Sequence, residues 1–315
     1  MTYFVDFVNN FMRRNKNNLI RKNNIPIYIY LILNIFVIYI LFGLAFSTSN
    51  FIIVFLFSLG IYVVSLVIAI SPFGEWILRL HSGCRKIKRK DQIDYIEPIF
   101  KEVLKQAREL DPYISEDVKL YIRNTQDVNA FAIGRKTICI TDGLLKAPVE
   151  QIKATIAHEM GHIAHRDTDW ILVISVGNFI VTFVYIIVRV FGKMMSTLFE
   201  LLPSSDNLRD GGVKVAGMVQ SYITDAIIIA LMWAWTKIGI LLVMKSNRDN
   251  EFEADKFAFN LGYGNALCEL LDSSTESSTK GLFANLMSSH PDKNDRIAAL
   301  MNLGATYRRS YGAIN

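Results

Sequence analysis

Cysteine is scarce in this chain: Cys84, Cys139 and Cys268 are the three present among 315 residues. They share no paired spacing, which argues against a disulfide scaffold and a thiolate metal cluster and suits a reducing compartment. Basic runs interleaved with aromatic residues are also missing, so the net charge of +5 is no nucleic-acid footprint. It reads instead as a membrane-topology and lipid-headgroup signal. No small-x-small pattern closes the first apolar run, and that run is too long for the h-region of a cleavable signal, so a retained anchor is expected.

Apolar sequence is what the chain has in abundance. Hydrophobic residues make up 51% of it and gather into four blocks, 25–46, 51–70, 170–191 and 223–244. Each is about twenty residues long, enough for a helix to span about 30 Å of hydrocarbon. Four transmembrane helices in two hairpins are therefore expected. Arg13, Arg14, Lys16, Arg21 and Lys22 precede the first, and Arg85, Lys86, Lys88, Arg89 and Lys90 follow the second, whereas the turn at 47–50 carries no basic residue. That asymmetry predicts a multi-pass protein of the inner (cytoplasmic) membrane with both termini in the cytoplasm. The expected order is a cytoplasmic tail (1–24), a membrane hairpin (25–70), a first catalytic part (71–169), a second hairpin (170–245) and a second catalytic part (246–315). Asn34 in the first span calls for a hydrogen bond between helices. Lys237 in the fourth needs the bundle interior, a snorkelling path or a polar contact with an intramembrane substrate.

Ser71-Pro72 and Gly74 read as a break, after which the periodicity changes. Ile93, Ile96, Ile99, Phe100, Val103, Leu104 and Ala107 recur at three and four, predicting an amphipathic helix over 91–110 with Asp91 as N-cap, ended by Asp111-Pro112. Val118, Leu120 and Ile122 alternate with Lys119, Tyr121 and Arg123 as in a half-buried strand. Two more short strands are expected at 129–132 and 136–141 around a turn at Gly134. Pro148 suits the first turn of the next helix, which sends Ile152, Ile156, Met160 and Ile163 to a core and its histidines to a cleft, and ends near Arg166-Asp167.

That helix holds His158-Glu159-Met160-Gly161-His162. Residues four apart share one helical face, so His158 and His162 present imidazole nitrogens to one zinc ion while Glu159 flanks it, a hydrolase signature. An incomplete protein ligand set leaves room for water, and the carboxylate takes that water's proton. The metzincin arrangement needs glycine at position 165 and histidine at 168, but His165 and Thr168 stand there. A carboxylate from a later helix is the other solution. Glu251 and Asp255 lie at i and i+4 after the fourth span, so one can ligate while the other supports a ligating histidine.

Here the sequence resembles the membrane-embedded gluzincins that include the HtpX proteases and the CAAX prenyl proteases. Their His-Glu-x-x-His helix is followed, after a membrane hairpin, by Arg-x-x-Glu-x-x-Ala-Asp, matched by Arg248, Glu251, Ala254 and Asp255. Asn129-Ala130-Phe131-Ala132 resembles the edge strand that holds substrate backbone in that family, and 141–145 is close to its Thr-x-Gly-Leu-Leu. His290-Pro291 with Arg296-Ile297 resembles the family's His-Pro-x-x-x-x-Arg-Ile element. The likeness is greater to HtpX than to the CAAX enzymes, which carry additional spans; Asn247, where HtpX-like sequences have serine, is a small departure.

The resemblance implies an α+β integral membrane protein, with four transmembrane helices and a mainly helical zincin domain bearing a small sheet. It implies one Zn2+ per chain on His158, His162 and Glu251, with Asp255 and Arg248 behind them and Glu159 as general base. His290 would stabilise the oxyanion and Arg296 would orient His290 or Glu251. Substrate would pair with Asn129, Ala130, Phe131 and Ala132. The implied function is a membrane-bound zinc endopeptidase acting on misfolded or damaged membrane proteins at the cytoplasmic face, in contact with the lipid bilayer, polypeptide substrates and no nucleic acid. A homo-oligomer or partner membrane proteases are compatible with it. Two alternatives are a processing protease for lipidated or specific C-terminal peptides and a non-catalytic scaffold stabilised by zinc; a structural zinc site is normally closed by four protein ligands, which weighs against the second.

Overall fold

The computed structural model describes residues 25–46, 50–200, 211–246, 248–273 and 291–308. Two long apolar helices come first, α1 (Ile25–Ala45) and α2 (Phe51–Ala69), and the Asn50 side chain caps α2 by accepting the Ile52 and Ile53 N–H groups at 3.2 Å each. There follow α3 (Pro72–His81), α4 (Lys90–Leu110), β1 (Lys119–Arg123), β2 (Ala130–Ile133), β3 (Thr137–Thr141) and α5 (Val149–His165). A helical turn at Asp169–Ile171 and a π-helical turn at Leu172–Val176 lead into α6 (Gly177–Glu200). The remaining helices among the described residues are α7 (Gly211–Ser246), α8 (Arg248–Asn260), α9 (Gly264–Ser273) and α10 (Lys293–Leu303). Among the described residues, four stretches are long and apolar enough to cross a membrane: Ile25–Ala45, Phe51–Ala69, Asp169–Leu198 and Met218–Met244. The chain is thus a multi-pass membrane protein, and its described residues are mostly helical with one small sheet.

One unit consists of the described residues up to Ser71 together with Val173–Leu242. Its apolar core includes Ile38, Phe42, Tyr62, Val181, Tyr185 and Met232. Asn34, the polar residue of the first span, donates to Asn178 Oδ1 at 2.9 Å and accepts from Trp235 Nε1 at 2.8 Å. Asn178 in turn donates to Tyr30 at 2.8 Å and Thr236 at 3.1 Å. In hydrocarbon an amide has no water to turn to, so these bonds between helices satisfy groups that would otherwise be costly. The Lys237 ammonium lies 4.2 Å from the Trp233 ring centroid, a cation–π contact.

The other unit consists of Pro72–Leu172 and the described residues from Val243 onward. Its sheet has the order β1-β3-β2: β1 runs parallel to β3 with Lys119 opposite Thr137, and β2 runs antiparallel to it with Ala130 opposite Ile140. Gly134, at φ 58°, makes the turn between β2 and β3. The core joins Ile138 and Ile140 of β3 to Ile152, Ile156 and Met160 of α5, with Phe100 from α4 and Leu267 from α9.

Three local expectations are corrected. Pro72 does end the second span, but it also opens α3, where its missing N–H costs nothing. Arg89, not Asp91, occupies the cap of α4, and Asp91 sits in the first turn, where a carboxylate complements the helix dipole. In β1 the buried residue is Tyr121, while Leu120 and Ile122 are half-buried. The Arg79 guanidinium of α3 lies 4.4 Å over the Tyr121 ring, so a helix not foreseen covers the face read as polar.

Candidate metal centre and active site

Helix α5 places His158 and His162 on one face, as their spacing of four requires. Their Nε2 atoms are 3.2 Å apart. Glu251 comes to them from α8, with Oε1 3.4 Å from His162 Nε2 and Oε2 3.5 Å from His158 Nε2. All three are buried, and their ligand atoms lie within 4.8 Å of one another. Small residues permit this approach: a Cβ built on Gly161 would stand 2.9 Å from Ala254 Cα and 3.2 Å from Ala254 Cβ.

Each imidazole is backed by a carboxylate. Asp255, fully buried, places Oδ1 2.9 Å from His158 Nδ1. Asp167 Oδ2 lies 3.0 Å from His162 Nδ1. With Nδ1 engaged on both rings, the Nε2 lone pairs are left facing each other and Glu251, the arrangement of a metal-binding pair. Arg296 donates to Asp255 through Nε at 2.7 Å and Nη2 at 2.6 Å, and its Nη1 is 3.4 Å from Glu251 Oε2. The cluster alternates in sign from arginine to carboxylate to imidazole.

Electrostatics follow from that alternation. Burial alone would raise the Asp255 carboxyl, but hydrogen bonds and charge from Arg296 and His158 outweigh it and hold it below the usual carboxylate range. Burial would depress both histidines. The hydrogen bonds from Asp255 and Glu251 overcome this at His158, and Glu251 with Asp167 does so at His162, which ends well above its ordinary value. Carboxylates that favour a proton on these rings equally favour a metal cation there.

Beside the triad, Glu159 Oε2 accepts the backbone N–H of Ala132 at 2.8 Å. Ala132 belongs to β2, the sheet's edge. Asn129 O accepts the Thr141 N–H at 3.0 Å, so by strand alternation the backbone groups of Ala130 and Ala132 point away from β3. A cleft of about 660 Å³ adjoins His158 and Glu159, lined among others by Asn129, Thr155, Leu267, Leu270, Leu271 and Arg296.

The structure therefore brings His158, Glu159, His162, Glu251, Asp255 and Arg296 into one cluster, with Asn129 on the cleft and Ala132 in contact with Glu159. Ala130 and Phe131 stand opposite Ile140 and Cys139 in β2. Arg248 begins α8, but its side chain falls outside the described residues, as does His290 altogether. His165 is exposed, with its ring 6.4 Å from that of Phe257. In the sequence Asp167 marks only the end of a helix. Its place beside His162 depends on the left-handed turn at Arg166, which helical periodicity cannot reveal.

Comparison with known proteins supplies the family. Residues 95–303 match the family model of peptidase family M48. Protease HtpX of Legionella pneumophila subsp. pneumophila (strain Philadelphia 1) is 30% identical over 211 residues, covering 58% of this chain and 69% of that one. Protease HtpX of Shewanella frigidimarina (strain NCIMB 400) is 25% identical over 282 residues, covering 82% and 91%. The crystal structure of S. mikatae Ste24p aligns with 20% identity over 87% of this chain and 61% of that one; its TM-score of 0.35 is too low to carry a structural assignment.

Proposed function

The chain belongs to peptidase family M48 and is a membrane metalloprotease that hydrolyses peptide bonds, and on that premise we propose that its metal is zinc and its substrates are misfolded or damaged membrane proteins, cut on the cytoplasmic side. The meeting of His158, His162 and Glu251, with Glu159 beside them, carries the reading. A tetrahedral zinc with bonds of about 2.0–2.1 Å holds its donors about 3.3 Å apart; the two histidine Nε2 atoms are 3.2 Å apart, and the Glu251 carboxylate faces both, with Oε1 3.4 Å from His162 and Oε2 3.5 Å from His158. Two imidazoles and one carboxylate, with no thiolate, also match the ligand set of hydrolytic zinc sites, which keep one position open.

Zinc, when bound, supplies Lewis-acid polarisation of a peptide carbonyl and lowers the pKa of water toward about 7. Glu159 acts as general base: Ala132 N–H holds Oε2, and the carboxylate takes a proton from the attacking water and passes it to the leaving amine. Substrate backbone pairs with β2, which reads main chain and tolerates varied side chains. The apolar wall of Leu267, Leu270 and Leu271 receives an apolar side chain next to the cut. Such undemanding recognition suits quality control.

Sequence supports the placement. Asp167 and Trp170 follow His162 closely, and Glu251 comes soon after the span that ends at Met244. The catalytic part is proposed as 71–169 with 246–315, interrupted by the membrane hairpin 170–245, with the basic flanks of the first hairpin holding it at the cytoplasmic face. Glu159→Gln, assayed in detergent on a membrane protein with an exposed loop, is expected to lose cleavage about 100-fold or more while retaining zinc. Undiminished cleavage by that variant sinks the mechanism.

A further inference from the structure

After α5 the chain turns at Arg166, the one non-glycine residue with positive φ among the described residues, at 60°. A long side chain enters that region at a cost, so the surrounding contacts must hold it there. The next three residues reach three different targets. Asp167 Oδ2 lies 3.0 Å from His162 Nδ1. Thr168 Oγ1 donates to the Gly134 carbonyl at 2.8 Å. Asp169 receives the Arg135 guanidinium, with Nη2 2.8 Å from Oδ2 and Nε 3.2 Å from Oδ1, in a pair whose side chains are 11% and 9% exposed.

Gly134 and Arg135 form the turn that joins β2 to β3, and Glu75 of α3 closes it from another direction by accepting the Arg135 N–H at 2.7 Å. Ala132, whose N–H meets Glu159, is two residues before Gly134. One short segment therefore touches both a metal ligand and the end of the edge strand. A forked, buried ion pair allows little play compared with a single neutral hydrogen bond.

We propose that the segment Arg166–Asp169 sets the register of the substrate-pairing strand against the metal, with Asp167 a positioning residue for His162 and with Arg135, Thr168 and Asp169 positioning residues for β2. This rests on the reading that substrate pairs with β2. A shift of about 1 Å between reacting groups is enough to cost about 100-fold in rate, so a clamp at the strand's end has a catalytic consequence without touching substrate.

The test uses the full-length protein in detergent, zinc competition against a chromogenic chelator, thermal melting, and hydrolysis of an unstructured peptide with and without N-methylation at the amides flanking the cut. Arg135→Met with Asp169→Leu, made together so that no lone charge is buried, and Thr168→Val as a separate variant, are expected to keep zinc affinity within threefold and to lose kcat/KM tenfold or more. Asp167→Ala is expected to lose zinc affinity about 10–100-fold. N-methylation is expected to cost the unmodified enzyme at least tenfold. If the paired variant does not fold, Thr168→Val decides by the same numbers. Clamp variants that cleave normally while N-methylation still costs tenfold overturn the register proposal alone. Clamp variants that lose zinc affinity in step with activity also overturn it, since the contacts are then merely structural. An unmodified enzyme indifferent to N-methylation overturns the strand-pairing reading beneath it.

Discussion

Replacing Gly161 by alanine is expected to push α8 away from α5 and to loosen Glu251 from the metal. On an open helix the change would stabilise by about 0.8–1.0 kcal/mol, because alanine is the better helix former. Here the new methyl would stand 2.9 Å from Ala254 Cα, 3.1 Å from Phe257 Cβ and 3.2 Å from Ala254 Cβ. Carbon atoms pack at about 3.5–4.0 Å, so the helices must part by about half an ångström, and a backbone Cα cannot rotate aside. Overpacking of this kind costs about 1–3 kcal/mol. Set against the helix-propensity gain, the net is roughly 0–2 kcal/mol of destabilisation. Ala254 is one turn beyond Glu251, so the ligand moves with it. Strain of about 1–2 kcal/mol relieved by releasing the ligand lowers zinc affinity by about 5–30-fold. Chelator competition reads that loss, and melting of the chelated protein reads the strain. An alanine variant that binds zinc as tightly as the parent and melts higher without it would refute the reasoning, since α8 would then not need the close approach.

Other outcomes follow from the same cluster. Arg296→Leu leaves the fully buried Asp255 carboxylate without its fork and is expected to destabilise by about 3–5 kcal/mol, seen as a lower denaturant midpoint at unchanged slope; a midpoint near that of the parent contradicts this. Asp255 has a folded pKa below its unfolded value, so its contribution to stability is present above pH ~3.9 and is lost as pH falls through the lower folded value. Acid titration of the chelated protein should therefore show a loss of stability in that window that Asp255→Asn lacks, and parallel curves would count against the assignment. Prolonged dialysis against a strong chelator is expected to abolish peptide hydrolysis and added zinc to restore it; activity that survives verified metal removal refutes a metal-dependent reaction.

The parts of the molecule legible in the sequence are those set by local periodicity. Twenty-residue apolar runs announce the four spans, and a spacing of four puts His158 and His162 together whatever surrounds them. Asp255 reaches His158 for the same reason, being one turn beyond Glu251 on α8. What stayed hidden depends on where the helix stops or on residues far apart in the chain. Asp167 is five residues from His162, a spacing that points away on a continuing helix and toward it only once Arg166 turns left-handed. Arg135 and Asp169 are separated by 34 residues and meet through the fold. Tyr121 looked like the polar side of β1 because nothing in the strand itself tells that Arg79 will cover it. Arg296 does reach Glu251, with Nη1 3.4 Å from Oε2, but its fork on Asp255 is a contact that the sequence does not announce.

The polar network around Asn34 sets a timetable for biosynthesis. Asn34 bonds Asn178 and Trp235, which lie 144 and 201 residues further along the chain. At about 5–20 residues per second of synthesis, the last of these partners leaves the ribosome roughly 10–40 s after Asn34. During that interval the Asn34 amide has only its own hairpin to turn to, where Tyr62 of α2 is its hydrogen-bond partner. The bonds to Asn178 and Trp235 therefore form last, and they fix the second hairpin against the first only once both are made.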